Sequence, residues 1–437
     1  MNFNESVSYL LSLGHETTAI KLGLENVARL LERLGRPQDS FPSVQIAGTN
    51  GKGSTAAMLD SVCRAADVRA GLYTSPHLVS ITERVRVAGR DISQENFARH
   101  ATRVRAASEE VERESGALPT FFEQVTGIAL SAFADEKVDV AILETGLGGR
   151  LDATTAARAS TVAVTPVALD HQEYLGDTLT EIAAEKAAII RPGVRAVVAP
   201  QEPEAEAVIL RRCRECGVEP RRATDDIEVD EVTAEGRLRV TLRTGRGVYS
   251  GVRLALRGRH QLTNAAVAVA LAETLAEEGF NITRGHVVEG LERAEHAGRL
   301  ELVESGGRAL LFDGAHNAAG ALALRAYLDE FAARPLTIVF GAMRDKELTE
   351  IGRALFPAAS RLVLTAPASP RSATVEELLR AVPVPPSSST IALAPSSRDA
   401  LHIALSQTPE GGTVCVTGSL YLVGEVKALL ERGEGFQ

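Results

Sequence analysis

Residues 44–55 read Val-Gln-Ile-Ala-Gly-Thr-Asn-Gly-Lys-Gly-Ser-Thr, a short apolar run that stops at a glycine-rich turn carrying one lysine. A helix-compatible segment, residues 56–59, follows directly. Glycines let the backbone wrap closely around an anion, and the amides at the start of a helix point towards it. Lys52 can reach the outer phosphates of a nucleotide, and the hydroxyl of Ser54 or Thr55 can hold Mg²⁺. This strand–turn–helix context predicts a nucleotide phosphate site.

The turn is a variant of the usual phosphate-binding loop. In the pattern G-x-x-x-x-G-K-[ST] a glycine would stand where this chain has Ile46, and here Gly53 separates Lys52 from Ser54. The alternative is a glycine-rich turn that only joins a strand to a helix. The strand before the turn and the helix after it favour phosphate binding.

Bulk composition narrows the class of protein. The 437 residues are 45% hydrophobic and 24% charged, with a net charge of −10, which is typical of a globular chain of two or three domains. The acidic balance argues against nucleic acid as the main partner. No apolar run reaches the ~20 residues that span a bilayer, and the first residues lack the basic stretch of a secretory signal. We expect a soluble, cytoplasmic protein that does not bind membranes.

The spacing of the cysteines does not predict a metal site. Cys213 and Cys216 form an isolated C-x-x-C, and no second pair or suitably spaced histidines lie near it. The segment 204–217 has the pattern of a helix. We therefore expect surface or half-buried thiols.

Apolar runs alternate with segments of helical period, which is typical of crossover units around a parallel sheet. The predicted strands are 44–47, 70–73, 138–143, 161–164 and 195–199, and the predicted helices are 93–114, 121–135, 179–190 and 264–278. Short alternating stretches at 238–242 and 252–256 predict a small antiparallel patch within residues 225–257.

A second alternating series begins near residue 300. Its predicted strands are 309–312, 337–340, 361–365 and 413–417. We therefore predict two α/β domains, residues 1–296 and residues 297–437. The proline- and serine-rich segment 382–389 is predicted to be a loop inside the second domain, because strand-like sequence continues after it.

Polar groups follow two predicted strands of the first domain. Glu144 ends one buried run and precedes a glycine-rich stretch, and Asp170-His171 come after another. Ligands of open parallel sheets bind at the carboxyl ends of the strands. Glu144 can hold Mg²⁺ there, and His171 can contact a metal or a phosphate. The alternatives are a solvent-facing glutamate and a structural histidine, and the convergence of three strand ends favours the functional interpretation.

Lys186 is the least expected residue of the first domain. Leu179, Ile182, Lys186 and Ile189 share one helix face, so the ammonium lies in an apolar stripe where an uncompensated charge is costly. Three outcomes are open. The side chain can snorkel to water. It can pair with a buried carboxylate or phosphate. A partly neutral amine can also react with CO₂ to give a carbamate, a new carboxylate able to bind a second Mg²⁺.

The second domain repeats the pattern of a strand followed by polar residues. Asp313 and His316 follow the run 309–312, and Arg299 lies beside the predicted boundary. Asp313 can accept from ribose hydroxyls, His316 can meet a base or phosphate, and Arg299 can add positive charge to phosphates across a closing cleft. The alternatives are an ordinary Asp-Gly turn and a solvated arginine.

These motifs, in this order, resemble bacterial folylpolyglutamate synthase and dihydrofolate synthase of the Mur ligase superfamily. The resemblance runs nearly end to end. It is carried by residues 47–54, 75–78 with 83–84, 121–123, 144–152, 170–171 with 175–176, 185–186, 260–265, 298–301, 313–317, 345–346 and 418–421. It implies an N-terminal P-loop-type parallel-sheet ATPase domain and a smaller C-terminal Rossmann-like α/β domain, the Mur ligase architecture.

The resemblance also implies an activity, an ATP-dependent acid–amino-acid ligase of folate biosynthesis and one-carbon metabolism. Such enzymes phosphorylate dihydropteroate, or the γ-carboxylate of a folate glutamate, and the amine of L-glutamate then attacks the acyl phosphate. The implied cofactors are ATP and two Mg²⁺ ions, with a carbamylated Lys186. We expect both ligations and a monomeric enzyme.

The roles implied for individual residues follow position by position. Lys52, His171 and Lys186 take catalytic positions, and Ser54, Glu144, His171 and carbamylated Lys186 take the metal positions. Phe122 and Asp152 match pterin contacts. The remaining positions match contacts with ATP, and they are Gly48, Thr49, Asn50, Gly51, Lys52, Gly53, Ser54, Thr55, Asn264, Arg299, Asp313 and His316.

Two other functions stay open from the residues alone. One is a Mur-type ligase acting on another carboxylate, such as a cell-wall nucleotide precursor. The other is a nucleotide switch without ligation. Residues 75–78 and 147–152 favour a folate ligase over the first, and the polar elements of the second domain argue against the second.

Overall fold

The strand that leads into the glycine-rich turn lies inside an eight-stranded sheet. In the computed structural model, which describes residues 1–14, 23–224, 226–381 and 390–433, this strand (β1, Ser43–Ala47) pairs in parallel with a strand on each side. All of its residues are buried, as expected for a central parallel strand covered by helices on both faces. The predicted strand 44–47 is therefore confirmed.

Seven further strands complete this sheet. They are β2 (Ala70–Tyr73), β3 (Val85–Val87), β4 (Arg90–Asp91), β5 (Val140–Glu144), β6 (Thr161–Val164), β7 (Arg195–Val198) and β8 (Arg221–Arg222). The order across the sheet is β4-β3-β2-β5-β1-β6-β7-β8. Only the pairs formed by β3, with β2 and with β4, are antiparallel. The parallel sheet predicted from the alternating pattern is confirmed.

Helices cover both faces of the sheet. They are α1 (Phe3–Ser12), α2 (Glu25–Arg33), α3 (Lys52–Ala65), α4 (Gln94–Ser115), α5 (Phe121–Asp135), α6 (Gln172–Leu175), α7 (Leu179–Ala187), α8 (Pro203–Cys216), α9 (Gln261–Glu277) and α10 (Arg284–Arg293). Ser93, Thr120 and Thr178 cap α4, α5 and α7 through their hydroxyl oxygens, which accept from backbone amides of the first turn. Short 3₁₀ helices at Pro37–Ser40, Ile81–Arg84, Ala153–Ala157 and, in the second domain, Phe356–Ala358 complete the connections.

Two predictions in this region need correction. The helix predicted over 179–190 ends at Ala187, because Pro192 disfavours helical backbone just before it and the chain turns there. The antiparallel patch exists as β9 (Ile227–Val232), β10 (Leu238–Thr244) and β11 (Gly247–Arg253), but the stretch 252–256 lies mostly beyond β11. Leu254 and Leu256 are buried in the same core without belonging to a strand, which explains the misleading pattern.

The second domain contains a six-stranded sheet in the order β12-β13-β17-β14-β15-β16, in which only β12 is antiparallel. The strands are β12 (Glu301–Ser305), β13 (Arg308–Phe312), β14 (Leu336–Phe340), β15 (Arg361–Thr365), β16 (Thr390–Ala394) and β17 (Thr413–Thr417). The helices are α11 (Ala318–Phe331), α12 (Leu348–Leu355), α13 (Val375–Arg380), α14 (Ser397–Gln407) and α15 (Leu420–Glu431).

The predicted Rossmann-like second domain is thus confirmed. All of its strands lie after the boundary predicted at 296/297, which itself stays a prediction. The segment 382–389, predicted to be a loop, lies outside the described residues. No helix within the described residues is long and apolar enough to span a bilayer.

The two domains touch at several points. The guanidinium of Arg259 makes a two-pronged ion pair with Glu330 of α11, with N–O distances of 2.9 and 2.6 Å. Leu78 packs against the core of the second domain that contains Val423. Residues at the carboxyl ends of strands from both sheets, such as Glu144 and Asp313, line one cavity.

Glycines set how closely α10 approaches α3, the helix that begins at the phosphate loop. A Cβ on Gly290 would overlap the Cα of Val62, whereas a Cβ on Gly285, in the same helix, has only the Thr283 hydroxyl near it, at 3.7 Å. We expect Gly290→Ala to lower the free energy of unfolding by about 1–3 kcal/mol, since overpacking displaces backbone.

The matched control is Gly285→Ala, which should raise the free energy of unfolding by up to about 1 kcal/mol through helix propensity. Urea denaturation of the three proteins measures both effects. Equal effects of the two substitutions would contradict this account of the α3–α10 packing.

Candidate active site

A cavity of about 480 Å³ lies where the carboxyl ends of the two sheets meet. Most residues predicted to bind ligands line it. These are Thr49, Asn50, Gly51, Lys52, Gly53, Ser54, Phe122, Glu144, Asp152, His171, Lys186, Asn264, Arg299, Asp313 and His316. Gly48 and Thr55, also predicted as nucleotide contacts, do not line the cavity. Thr55 is fully buried on α3, and the Gly48 carbonyl accepts hydrogen bonds from Lys52 and Lys186.

The phosphate loop is held by the loop that follows β6. The backbone amides of Thr49 and Asn50 donate to the Pro166 carbonyl, at 3.0 and 3.2 Å. These amides are therefore engaged inside the protein. The amides of the first turn of α3, which have no partner within the helix, remain to meet an anion.

At two positions of the loop only glycine fits, because a neighbouring side chain lies too close for a Cβ. A Cβ on Gly48 would overlap the Thr165 hydroxyl, and a Cβ on Gly51 would overlap the side-chain oxygen of Asn264. Gly51 also has a φ of 87°, which favours glycine. Asn264, at the start of α9, thus lies directly against the phosphate loop.

Two lysines converge on one carbonyl of this loop. The Lys52 Nζ donates to the Gly48 and Thr49 carbonyls, both at 3.1 Å, and the Lys186 Nζ donates to the Gly48 carbonyl at 2.9 Å. Burial lowers the pKa of Lys52, and the nearby carboxylate of Glu144 opposes the shift. The loop therefore concentrates positive charge.

The structure narrows the three outcomes for Lys186. Its side chain is 4% exposed, so it does not snorkel. Within the described part of the chain, no carboxylate forms an ion pair with its Nζ. Burial, followed by the charge of Lys52, lowers the pKa of Lys186 to about 7. The amine is therefore partly neutral at neutral pH.

Ser54 and Glu144 offer oxygen ligands beside the loop. Both are nearly buried, and a Cβ on Gly53 would lie 3.4 Å from the Glu144 Oε1. The Glu144 Oε2 accepts from the Ser75 amide at 3.2 Å, and burial raises the pKa of this carboxyl. Among described residues no three His, Cys, Asp or Glu side chains form a metal cluster. One carboxylate with a hydroxyl fits Mg²⁺ only when phosphate oxygens complete its shell.

Asp170 joins the two domains across the cavity. Its carboxylate accepts from the Lys346 Nζ at 2.7 Å and from the Asn317 Nδ2 at 3.0 Å, and both donors belong to the second domain. Burial alone would raise the pKa of Asp170, but His316, Lys346 and His171 hold it well below its ordinary value. Asp170 therefore stays ionised and anchors the contact.

Two histidines adjoin this carboxylate. Burial, followed by the charge of Lys346, lowers the pKa of His171 to about 3, so its imidazole is neutral and able to accept a metal. The His316 Nδ1 lies 2.7 Å from the Gly314 carbonyl, which can only accept, so Nδ1 carries the proton. The His316 Nε2 then remains an acceptor, at 3.7 Å from Asp170.

Asp313 and Arg299 form the second-domain wall. The Asp313 carboxylate accepts from the Leu300 and Ala315 amides, both at 3.0 Å, and burial raises its pKa. Arg299 lies beside Gly314, where a Cβ would come within 2.9 Å of its guanidinium. Among the residues that the structure describes, no carboxylate pairs with Arg299, so its charge is available to an anion.

Phe122 and Asp152 line another part of the wall. The Asp152 carboxylate accepts from the Gly146 and Leu147 amides, at 2.8 and 2.9 Å, and from the Thr154 amide and hydroxyl. It therefore fixes the glycine-rich loop after β5. The Phe122 ring packs against Gly146, where a Cβ would lie 2.5 Å from its Cζ.

Sequence patterns gave no role to two cations of the cavity. Lys346 entered only through the resemblance of residues 345–346, and Arg371 was not singled out. His296 is not part of the cavity lining, but its Nδ1 lies 3.2 Å from the Ser54 hydroxyl. Arg371 follows β15, so the strand-end argument that selected Glu144 and Asp313 would have found it. The ion pair of Lys346 with Asp170 joins residues 176 positions apart, which no local pattern reveals.

The C-x-x-C cysteines are free, and they lie in the last turn of α8. Cys213 is fully buried rather than half-buried, because it faces the core, and Cys216 is half-buried as expected. No zinc cluster exists at these positions among the described residues.

Two family models match the chain. Residues 46–272 match the Mur ligase middle domain, and residues 298–420 match the Mur ligase glutamate ligase domain. Both models describe Mur ligases, the class of enzyme that this fold and cavity define.

Comparison with individual relatives shows which Mur ligases the chain resembles. The chain is 33% identical to the dihydrofolate synthase/folylpolyglutamate synthase of Mycobacterium tuberculosis, over 98% of this chain and 93% of that one. It is 37% identical to a probable bifunctional folylpolyglutamate synthase/dihydropteroate synthase of Haloferax volcanii, over 99% of this chain but only 51% of that protein. It therefore spans about half the length of the Haloferax relative.

A solved structure of a relative has the same fold as this chain. The Mycobacterium tuberculosis folylpolyglutamate synthase complexed with ADP superposes with a TM-score of 0.89 at 33% identity, covering 98% of each chain. The chain belongs to the folylpolyglutamate synthase and dihydrofolate synthase family of the Mur ligases, which are ligases that form carbon–nitrogen bonds.

The lowered pKa of Lys186 predicts a pH-dependent cost to folding. In the unfolded chain this amine has an ordinary pKa near 10.5, so between about pH 7 and 10.5 the unfolded chain binds more protons and stability rises with pH. Lys186→Met removes this dependence. Between pH 6 and 9, we expect the wild type to gain about 2–3 kcal/mol in free energy of unfolding relative to the variant.

Urea denaturation at both pH values, in CO₂-free buffer, measures this gain. A constant difference between the two proteins would show that Lys186 keeps an ordinary pKa.

Proposed function

We propose that the chain uses ATP to join L-glutamate to dihydropteroate and to the γ-carboxylate of folate glutamates. One observation carries the proposal: the phosphate loop with half-buried Lys52, the buried Lys186 and the Asp313–Arg299 wall of the second domain line one cavity. The relatives are named for these ligations. A ligase for a cell-wall nucleotide is not favoured, because the relatives are folate ligases.

The charges of the cavity suit the formation of an acyl phosphate. A triphosphate and a carboxylate repel each other, and both must enter the same space. Lys52 and the amides of the first turn of α3 would bind the outer phosphates, and Arg299 would offset charge from the second domain. Phe122 would lie against the pterin, while Asp152 keeps the adjoining loop in place.

Metal binding would complete this balance. Ser54 and Glu144 would hold one Mg²⁺, and His171 with a carbamate on Lys186 would hold a second. Bound Mg²⁺ supplies Lewis-acid stabilisation of the transferring phosphoryl group. Glu144 supplies the carboxylate, and the neutral imidazole of His171 supplies a nitrogen ligand.

The carbamate would form when the neutral Lys186 amine attacks CO₂ and loses one proton. The pKa near 7 makes the reactive neutral form abundant, and the Gly48 carbonyl holds the amine in place at 2.9 Å. The product exchanges a buried cation for an anion beside Lys52. We also expect the enzyme to be a cytoplasmic monomer.

Phosphate release by the purified chain tests the proposed function. ATP is supplied with dihydropteroate or tetrahydrofolate, each with and without L-glutamate. We expect turnover with either acceptor only when L-glutamate is also present, since the acyl phosphate needs an amine to react. Equal ATP hydrolysis without acceptor and glutamate would contradict ligation.

Rescue of a Lys186→Ala variant by small carboxylates tests whether Lys186 carries a carbamate. Lys186→Ala should lower turnover by on the order of 10²-fold, as expected for the loss of one charge-stabilising group, and added acetate or formate should recover part of it by replacing the missing carboxylate. Propylamine, which supplies only an amine, is the matched control. A fully active alanine variant, or rescue by the amine alone, would eliminate the carbamate.

A further inference from the structure

His296 lies beside the phosphate loop and has no role in the proposed chemistry. It belongs to the connector between α10, which ends at Arg293, and β12, and it is half-buried. Its Nδ1 lies 3.2 Å from the Oγ of Ser54. A Cβ on Gly53 would lie 2.8 Å from the His296 Cε1, so the ring packs directly against the first turn of α3.

The connector holds this ring in place from both sides. The Gly298 carbonyl accepts from the Gly314 amide at 2.9 Å, and the Gly298 amide donates to the Glu301 Oε2 at 2.8 Å. On the other side of His296, Ala294 is buried in the core of the first domain. The backbone that carries the imidazole is therefore fixed relative to α3.

A second side chain determines how the Ser54 hydroxyl is used. The Gln261 Nε2, which can only donate, lies 3.4 Å from the Ser54 Oγ. Asn264 sets the orientation of this amide, because its Nδ2 donates to the Gln261 Oε1 at 2.8 Å. The Ser54 oxygen therefore accepts from Gln261, and the hydroxyl hydrogen needs a different partner.

The His296 Nδ1 is placed to be that partner. Among the residues that the structure describes, the Ser54 Oγ has no hydrogen-bond partner besides Gln261 and His296. In a neutral imidazole one nitrogen donates and the other accepts. With the proton on Nε2, Nδ1 accepts the hydroxyl hydrogen. A proton on Nδ1 would make both neighbours donors and would turn the hydroxyl hydrogen towards the cavity.

The direction of this hydrogen matters for a cation in the cavity. A serine hydroxyl has one hydrogen and two oxygen lone pairs. If the hydrogen points to His296 and one lone pair accepts from Gln261, the second lone pair is left for the cavity that Ser54 lines. A bound cation withdraws electron density from the oxygen, which strengthens the hydroxyl as a donor to Nδ1.

We propose that His296 is a positioning residue for Mg²⁺: its Nδ1 accepts the Ser54 hydroxyl hydrogen and turns an oxygen lone pair towards the metal. The inference rests on the proposed function, because it concerns the Mg²⁺ assigned there to Ser54 and Glu144. The His296 ring and the Glu144 Oε1 both approach the same point of Gly53, so the ring adjoins both of these ligands.

Metal affinity, rather than turnover, tests the inference. Mn²⁺, a replacement for Mg²⁺ that is visible by EPR, is titrated into the full chain with the non-hydrolysable ATP analogue AMPPCP, the protein being in excess. We expect His296→Leu, which removes the acceptor, to weaken Mn²⁺ binding about 10-fold, the scale found for groups that orient metal ligands. His296→Asn, whose Oδ1 can replace Nδ1, should keep most of the wild-type affinity.

Combination with Ser54→Ala shows whether His296 acts through the hydroxyl. Ser54→Ala alone should weaken Mn²⁺ binding at least as much as His296→Leu. Adding His296→Leu to Ser54→Ala should change the affinity less than about twofold, because the two side chains act as one unit.

His286→Leu is the matched control. His286 is a half-buried histidine of α10, its Nδ1 accepts from the Thr283 amide at 3.2 Å, and it does not line the cavity. Its Mn²⁺ affinity should equal that of the wild type. The affinity for AMPPCP in EDTA shows that each variant keeps a folded nucleotide site. If His296→Leu loses that site, His296→Gln takes its place, because its Oε1 matches Nε2 rather than Nδ1.

Wild-type Mn²⁺ affinity in His296→Leu, or in His296→Gln where it is the substitute, would overturn the inference. Equal losses in that variant and His296→Asn would do the same, as would independent losses in the double variant. A wild type that binds no Mn²⁺ beside AMPPCP would also overturn it. A wild type that binds both but ligates no glutamate would refute the proposed function alone.

Discussion

The carbonyl oxygen of Gly48 accepts hydrogen bonds from two lysine ammonium groups, and much of the site depends on this arrangement. Lys52 and Lys186 are brought together at the cavity wall, and burial together with the charge of Lys52 lowers the pKa of Lys186. Two like charges are stable there only with an anion, or when one of them is neutral. We therefore expect the loop to bind phosphate, and we expect Lys186 to be the amine that loses its proton.

The same charge balance explains why the second domain lies where it does. Asp170 supplies a carboxylate beside the lysines, and Lys346 and Asn317 reach it from the opposite side of the cleft. A buried ion pair loses much of its attraction to desolvation, so its main effect here is to fix geometry. The apolar contact of Leu78 and the ion pair of Arg259 with Glu330 hold the domains at the periphery.

Much of this could be predicted from sequence, because local rules apply to it. The strands 70–73 and 161–164 and the helix 121–135 were predicted with their observed bounds, since burial and capping act over a few residues. Polar residues at strand ends located Glu144, His171 and Asp313. The Asp170–Lys346 pair depends on the packing of separate loops, which sequence spacing does not encode. Thr55 shows that local patterns can also predict too many site residues. It was predicted to contact the nucleotide because it follows Lys52 and Ser54, but its side chain is buried in the protein.

In the proposed reaction the cavity brings ATP against a carboxylate, so that the carboxylate oxygen attacks the terminal phosphorus. Dihydropteroate labelled with ¹⁸O in both carboxylate oxygens tests this most directly, by mass spectrometry of the products after ligation to L-glutamate. An acyl phosphate predicts one ¹⁸O atom in each inorganic phosphate released and the other in the new amide. Label recovered in AMP, or phosphate free of ¹⁸O, would contradict the account.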